Sequence, residues 1–126
     1  MMEAKIKLTK TMLDKCIIDA NKTVQQFLTD DFEMSYDDPY FVQQWYNEKA
    51  GRFERGKLTI TGEYADGERV DVRFYRSGKR ADKRISIQKL KQYAEAGDEV
   101  ILTSDAESLH DGIRIHINIV RQTDAA

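Results

Sequence analysis

One cysteine, one proline and two histidines are all that this 126-residue chain holds of the residue types that build stapled or metal-bound scaffolds. A single thiol, Cys16, cannot close an internal disulfide, so disulfide-stabilised miniature domains are excluded. Two histidines and one cysteine make too small a stock of ligands for a structural zinc site, which excludes zinc fingers. No run approaches the roughly 18–20 consecutive apolar residues of a membrane span, and the opening MMEAKIKLTK lacks the apolar stretch of a secretory signal. A cytoplasmic chain with no membrane partner is the expectation. Repeats, low-complexity runs and linkers are also missing, and the tail QTDAA reads as frayed. What is present is 40% apolar, 33% charged and 10% aromatic residues, polar for a globular protein but too aromatic for a disordered one. The length suits one domain over residues 1–126 with its own core.

The formal net charge of −2 conceals a strong asymmetry. Residues 1–51 carry six Lys against nine acids, and residues 92–126 two basic groups against seven acids. Residues 52–91 hold twelve Lys or Arg against six acids. A local positive surface binds phosphates even on a slightly anionic molecule, so the acidic pI does not exclude nucleic acid.

Along the chain, Ala4, Ile6 and Leu8 alternate with Lys5, Lys7 and Thr9, which predicts a half-buried strand. Met12 and Leu13 fit one short turn, CIID at 16–19 a second strand, and Asn21 an N-cap for a helix over Lys22 to Leu28 whose stripe is Val24, Phe27 and Leu28. One long helix from Lys10 to Leu28 is the competing reading. FEMSY, flanked by Asp30–Asp31 and Asp37–Asp38, reads as a short strand followed by an irregular excursion past Pro39. Tyr40, Phe41, Trp45 and Tyr46 would stack on bases, yet their spacing also fits one amphipathic helical turn, and core packing is the favoured use.

The clearest elements follow. LTITGEY and RVDVRFY alternate cleanly around ADGE, and Asp66-Gly67 supplies the positive φ of a tight turn, so 57–75 is a β-hairpin. RSGKRADKR is a polar loop before a strand-like piece at Arg84 to Ile87. Ser86 starts a helix with apolar positions Ile87, Leu90, Tyr93 and Ala94, which stops at Gly97 before the strand EVILT. Asp111-Gly112 then turns the chain into IRIHINIV, with Ile113, Ile115, Ile117 and Ile119 on one face. Hairpins and short connections favour antiparallel neighbours over crossovers. The fold class is therefore mainly β (α+β), a small, partly open antiparallel pseudobarrel of six to seven strands with two short helices. Ile6, Leu8, Val70, Val72, Phe74, Val100, Leu102, Ile115 and Ile117 should be buried together.

The piece AEAGDEVILT, in which Gly97 turns and Asp98 bonds nearby amides, looks like the GD-box of cradle-loop folds. With IKLT near the start and DKRISI…AGDEVIL near the end, the element order from residue 4 to about 120 resembles the DNA-binding pseudobarrel. That fold is shared by the plant B-three domain and the effector-binding domain of the EcoRII restriction endonuclease. The resemblance implies a prokaryotic or phage restriction-modification or regulatory DNA-binding module, with two loops on one side of the barrel in the major groove. The similar positions are Lys10, Thr11 and Lys15 for the first loop, and either Ala65–Glu68 or Arg76–Arg84 for the second. Residues 37–53 have no family counterpart, and the first of those turns is acidic. The basic loop is the better candidate: Arg76, Ser77, Lys79, Arg80, Lys83 and Arg84 place five cations within nine residues, and Arg reads guanine by two hydrogen bonds where Lys meets phosphate. A solvated surface, with Asp82 and the acidic ends paired to these cations, carries equal weight.

No catalytic constellation stands out. Glu3-Ala4-Lys5 has no upstream Asp, Glu48-Lys49 has the wrong spacing for a restriction-type magnesium site, and no phosphate-cradling glycine loop appears. Cys16 reads as a buried structural thiol, and His110 and His116 as ordinary histidines. The expectation is a module without catalysis, metal or cofactor, binding duplex DNA. The alternative is an accessory protein, of phage origin, that holds a protein partner through Asp30–Asp38 or Tyr40–Tyr46. A swapped-hairpin dimer of the AbrB type is a third option.

Overall fold

A computed structural model describes residues 3–104, 112 and 114–122. The chain forms a curled seven-stranded sheet in the order β1-β8-β9-β5-β6-β7-β2, a separate two-stranded sheet β3-β4, and three short helices. The strands are β1 (Glu3–Lys7), β2 (Ile18–Asp19), β3 (Gln44–Asn47), β4 (Arg52–Arg55), β5 (Leu58–Tyr64), β6 (Arg69–Arg76), β7 (Lys83–Ile87), β8 (Glu99–Ser104) and β9 (Ile115–Val120). The helices are α1 (Lys10–Lys15), α2 (Lys22–Phe32) and α3 (Pro39–Val42). This is the mainly β half-barrel that the alternating patterns imply. One contact departs from an all-antiparallel sheet: β5 and β9 run parallel, pairing Gly62 with Ile115 and Tyr64 with Ile117.

Period-2 alternation decides which side of each strand is buried. All nine residues expected in the core lie in one buried cluster. Phe27 of α2 meets Phe32 edge-to-face at 5.6 Å between ring centroids, and Phe32 packs on Phe74 of β6. The β5–β6 turn closes at Gly67, whose φ of +93° suits glycine.

The sheet curls without closing, and α2 packs along its β1 edge. Lys5 in the edge strand β1 turns its backbone away from β8. Its N–H donates to Thr23 Oγ1 at 2.9 Å, and its carbonyl accepts from Asn21 Nδ2 at 2.8 Å. Asn21 also caps α2 by accepting from the Val24 N–H at 3.0 Å. One polar corner thus starts the helix and satisfies an edge that would otherwise pair with another chain.

Several local expectations are corrected. Helix α2 runs past Leu28 to Phe32, and FEMSY forms no strand: Phe32 continues the apolar stripe, and Glu33 ends the helix in the left-handed region at φ 57°. The helix expected from Ser86 is a 3-10 turn at Leu90–Gln92, because Ser86 and Ile87 are held extended opposite Arg73 and Val72 of β6. Ile87, Leu90 and Ala94 reach the core nonetheless. Met12 and Leu13 sit in a six-residue helix, α1, and β2 keeps only Ile18 and Asp19 of CIID. Cys16 is exposed, since it caps α1 at φ 54° where the chain reverses into β2. Of the four aromatics given to one helical turn only Phe41 is buried; Gln44–Asn47 is a strand, so Trp45 and Tyr46 are half exposed. Asp111, Ile113, His110 and the QTDAA tail from Thr123 onward lie outside the described residues.

Candidate nucleic-acid interface

The basic loop between β6 and β7 is a closed turn. The Ser77 N–H donates to the Asp82 carbonyl at 2.9 Å, and the Asp82 N–H donates to Ser77 Oγ at 2.9 Å. Arg76 ties this turn to the chain after α2. Its Nε donates to the Tyr36 carbonyl at 2.7 Å, Nη1 to the Ala81 carbonyl at 2.6 Å and Nη2 to Asp37 Oδ1 at 2.7 Å. The Tyr36 hydroxyl donates to the Arg84 carbonyl at 2.7 Å, and burial pushes its phenol far above the ordinary tyrosine value.

The five cations thus divide by role. Arg76 is consumed by its three bonds. Arg84 pairs with Asp82 at 3.2 Å, and Lys83 reaches Gln25 Oε1 at 3.3 Å and Asp37 at 3.7 Å. Lys79 and Arg80 are exposed at the tip and have no hydrogen-bond or ion-pair partner among the described residues. A clamped base carrying two unpaired cations presents positive charge in a fixed place.

The other expected stretch lies elsewhere. Lys10, Thr11 and Lys15 are exposed on α1, whose N-cap Thr9 accepts from the Met12 N–H at 3.2 Å. Because β2 runs antiparallel to β7, α1 sits at the Ile87 end while the Ala20 N–H meets the Lys83 carbonyl beside the basic loop. Lys83 and Ile87 are four steps of β7, about 13 Å, apart. Beneath α1 lies a cavity of about 310 Å³ lined by Met12, Leu13, Cys16, Ile18, Ile87 and Leu90 among others.

The second candidate loop, Ala65–Glu68, is at the α1 end and is pinned. Tyr93 stacks on Tyr64 at 3.7 Å between centroids and donates its hydroxyl to Asp66 Oδ2 at 2.9 Å, while Lys89 pairs with Glu68. Burial, then the bond to Asp66, pushes the Tyr93 phenol up to about 12. Backbone and side-chain donors, led by the Glu68 N–H, hold Asp66 below the usual carboxylate value. The turn therefore keeps its negative charge.

A further element stands beside the basic loop. The β3–β4 hairpin leaves the body after α3, and Gln44 Nε2 donates to the Gly78 carbonyl at 3.3 Å. Its base is anchored by Gly56, whose N–H donates to the Tyr40 carbonyl at 3.0 Å in a space too small for a Cβ. Asn47 organises the turn by accepting from the Lys49 and Ala50 N–H groups. It also donates to Glu54, whose carboxyl this bond and Arg52 hold below the ordinary value. Sequence reasoning missed this hairpin; the legible signal was QWYN and RFER, two strand-like quartets around a four-residue turn ending in Gly51, at φ +67°.

Among the described residues no cluster of three or more His, Cys, Asp or Glu is placed to hold a metal ion, and no helix is long and apolar enough to cross a membrane. At the strand junction predicted for Asp98, its carboxylate accepts from the Glu95 N–H at 2.8 Å and the Gln122 N–H at 3.0 Å. These bonds and Arg121 hold it below the ordinary value. No protein-family model, curated protein or solved structure matches the chain.

Proposed function

We propose that this chain is a DNA-binding module without catalysis, gripping the sugar-phosphate backbone with the end of the half-barrel that carries the 77–82 loop. The observation that carries this reading is the pair Lys79 and Arg80, exposed and unpartnered on a turn that Arg76 and Ser77 hold closed. Ordering two long cations costs conformational entropy, and a pre-formed turn reduces what binding must supply. In this reading Arg76, Lys83 and Arg84 support the loop, and Lys10, Thr11 and Lys15 lie outside the primary patch. The likeness of IKLT and AGDEVIL to the DNA-binding pseudobarrel, and a restriction or regulatory role, belong to the same proposal.

The test is a fluorescence-polarisation titration with random-sequence duplex DNA at about 50 and 200 mM salt, using the wild type and Lys79→Glu/Arg80→Glu. Two phosphate contacts contribute roughly −1.8 to the slope of log K against log salt, and the double variant removes that contribution. Equal binding by the variant, or no binding at the lower salt, overturns the proposal. A second reading, capture of a protein partner, draws on the exposure of Trp45, Tyr46 and Phe53. It expects partner binding to survive the loop variant.

A further inference from the structure

The β3–β4 hairpin displays its aromatic rings where a folded chain ordinarily hides them. Phe53 is 65% exposed, Tyr46 53% and Trp45 49%. Tyr46 and Phe53 are direct cross-strand partners, edge-to-face at 5.2 Å between centroids, so they share one face of the hairpin. Gln44 and Arg55 share that same face one period away. Since the Gln44 side chain reaches Gly78, this is the face that borders the basic loop. The ring pair lies two residues, about 7 Å of strand, from the contact with the loop, and Lys79 and Arg80 follow Gly78 directly.

Charge decides between occupants of such a patch. Residues 44–57 carry Lys49, Arg52, Arg55 and Lys57 against Glu48 and Glu54, and the loop adds Lys79 and Arg80 against Asp82. Arg52 and Glu54 pair with each other on the opposite face, beside Trp45, and Arg55 on the ring face is bonded to the Val42 carbonyl, so the free cations nearest the rings are Lys79 and Arg80 of the adjoining loop. Flat rings beside a pair of free cations complement a ligand with flat apolar faces on an anionic backbone. In a duplex those faces are stacked on one another and only base edges reach a groove, whereas an unpaired strand offers them.

Resting on the DNA-binding reading above, we infer that the Tyr46–Phe53 pair is a stacking platform for the bases of an unpaired nucleic-acid strand whose phosphates meet Lys79 and Arg80. The platform makes the site prefer a single strand over a duplex.

Fluorescein-labelled 20-mers of one sequence, as single-stranded DNA, single-stranded RNA and duplex DNA, are titrated with wild type, Tyr46→Ala/Phe53→Ala, Tyr46→Trp and Lys79→Glu/Arg80→Glu. Both aromatic positions are exposed, and circular dichroism checks that the variants fold. Wild type is expected to bind at least one of the single strands about tenfold or more tighter than the duplex. Comparison of the DNA and RNA arms shows which sugar is preferred. Tyr46→Ala/Phe53→Ala erases that preference and leaves duplex binding unchanged, and Tyr46→Trp retains it. Duplex binding equal to or tighter than both single strands, with the alanine variant unaffected, overturns the platform and leaves the loop reading standing. No binding to any of the three strands by wild type overturns both, and a protein partner lost with the same alanine variant then identifies the hairpin as a protein-docking surface.

Discussion

Arg76 offers the sharpest test of how the basic end is held together. Its guanidinium side chain is 13% exposed and spends its donors on two backbone carbonyls, of Tyr36 and Ala81, and on Asp37. Replacing it with alanine strands both carbonyls at a largely covered site, and hydrogen bonds to a charged donor contribute about 1.5 kcal/mol each at the low end. The Asp37 bond adds little, because that carboxylate is 73% exposed and water screens it. Arg76→Ala is therefore expected to cost about 3 kcal/mol, and Asp37→Ala under about 1 kcal/mol. For a domain of this size the first corresponds to a fall in Tm of roughly 10 °C. Arg76→Lys keeps the charge but loses the fork, so it recovers part of the loss at most. Urea denaturation followed by circular dichroism measures all three, with unchanged m values as the check on two-state behaviour. If Arg76→Ala costs less than about 0.5 kcal/mol, or if Asp37→Ala costs as much as Arg76→Ala, the carbonyl clamp is not what holds the loop.

Two further outcomes follow from the packing and the electrostatics. A Cβ on Gly56 would lie 2.3 Å from the Tyr40 carbonyl oxygen, so Gly56→Ala should destabilise by about 1–3 kcal/mol and speed amide exchange in β4, while Gly78→Ala, where a Cβ meets nothing, is neutral. Asp98 is held below its ordinary value of 3.8 by the N–H groups of Glu95 and Gln122, so its contribution is complete above that pH and fades as the pH falls through the lowered folded value. The Asp98→Asn variant should show a urea midpoint that is lower at pH 7 and changes less with pH below about 4; an unchanged pH profile would remove Asp98 from the account.

Much of this molecule is legible in order of residue type. Leu58–Tyr64 and Arg69–Arg76 alternate around Asp66-Gly67, and that pattern alone sets a hairpin whose register pairs Ile60 with Val72. Asn21 before Val24, Phe27 and Leu28 announces a capped helix, and Gly97-Asp98 announces the turn into β8. Each of these signals is local, carried by a backbone preference or by the period of the buried face. The segment 84–94 shows where locality fails. Ile87, Leu90, Tyr93 and Ala94 keep helical spacing, but pairing of Ser86 and Ile87 with β6 wins, because a ladder already laid down satisfies backbone groups that a fresh helical turn would have to nucleate.

The basic loop shows the same division. Composition announced five cations within nine residues, and only the tertiary contacts sorted them. Asp37, almost forty residues upstream, takes the Nη2 bond of Arg76, and Gln25 takes Lys83, so the exposed pair Lys79 and Arg80 emerges only when distant chain is brought alongside. The aromatic segment is the converse case. Trp45 and Tyr46 are large apolar residues whose default fate is burial, and what exposes them is strand pairing with Arg52–Arg55 on a hairpin anchored at Gly56. By itself the sequence determined the strands with clean alternation (β1, β5, β6, β8 and β9), their apolar faces and the excess of positive charge in residues 52–91, since these follow from residue type and period. Which cations stay free, which rings face solvent and which loops share an end of the barrel were decided by long-range pairing and by Arg76 and Gly56, because burial and hydrogen-bond partnership are properties of neighbours in space.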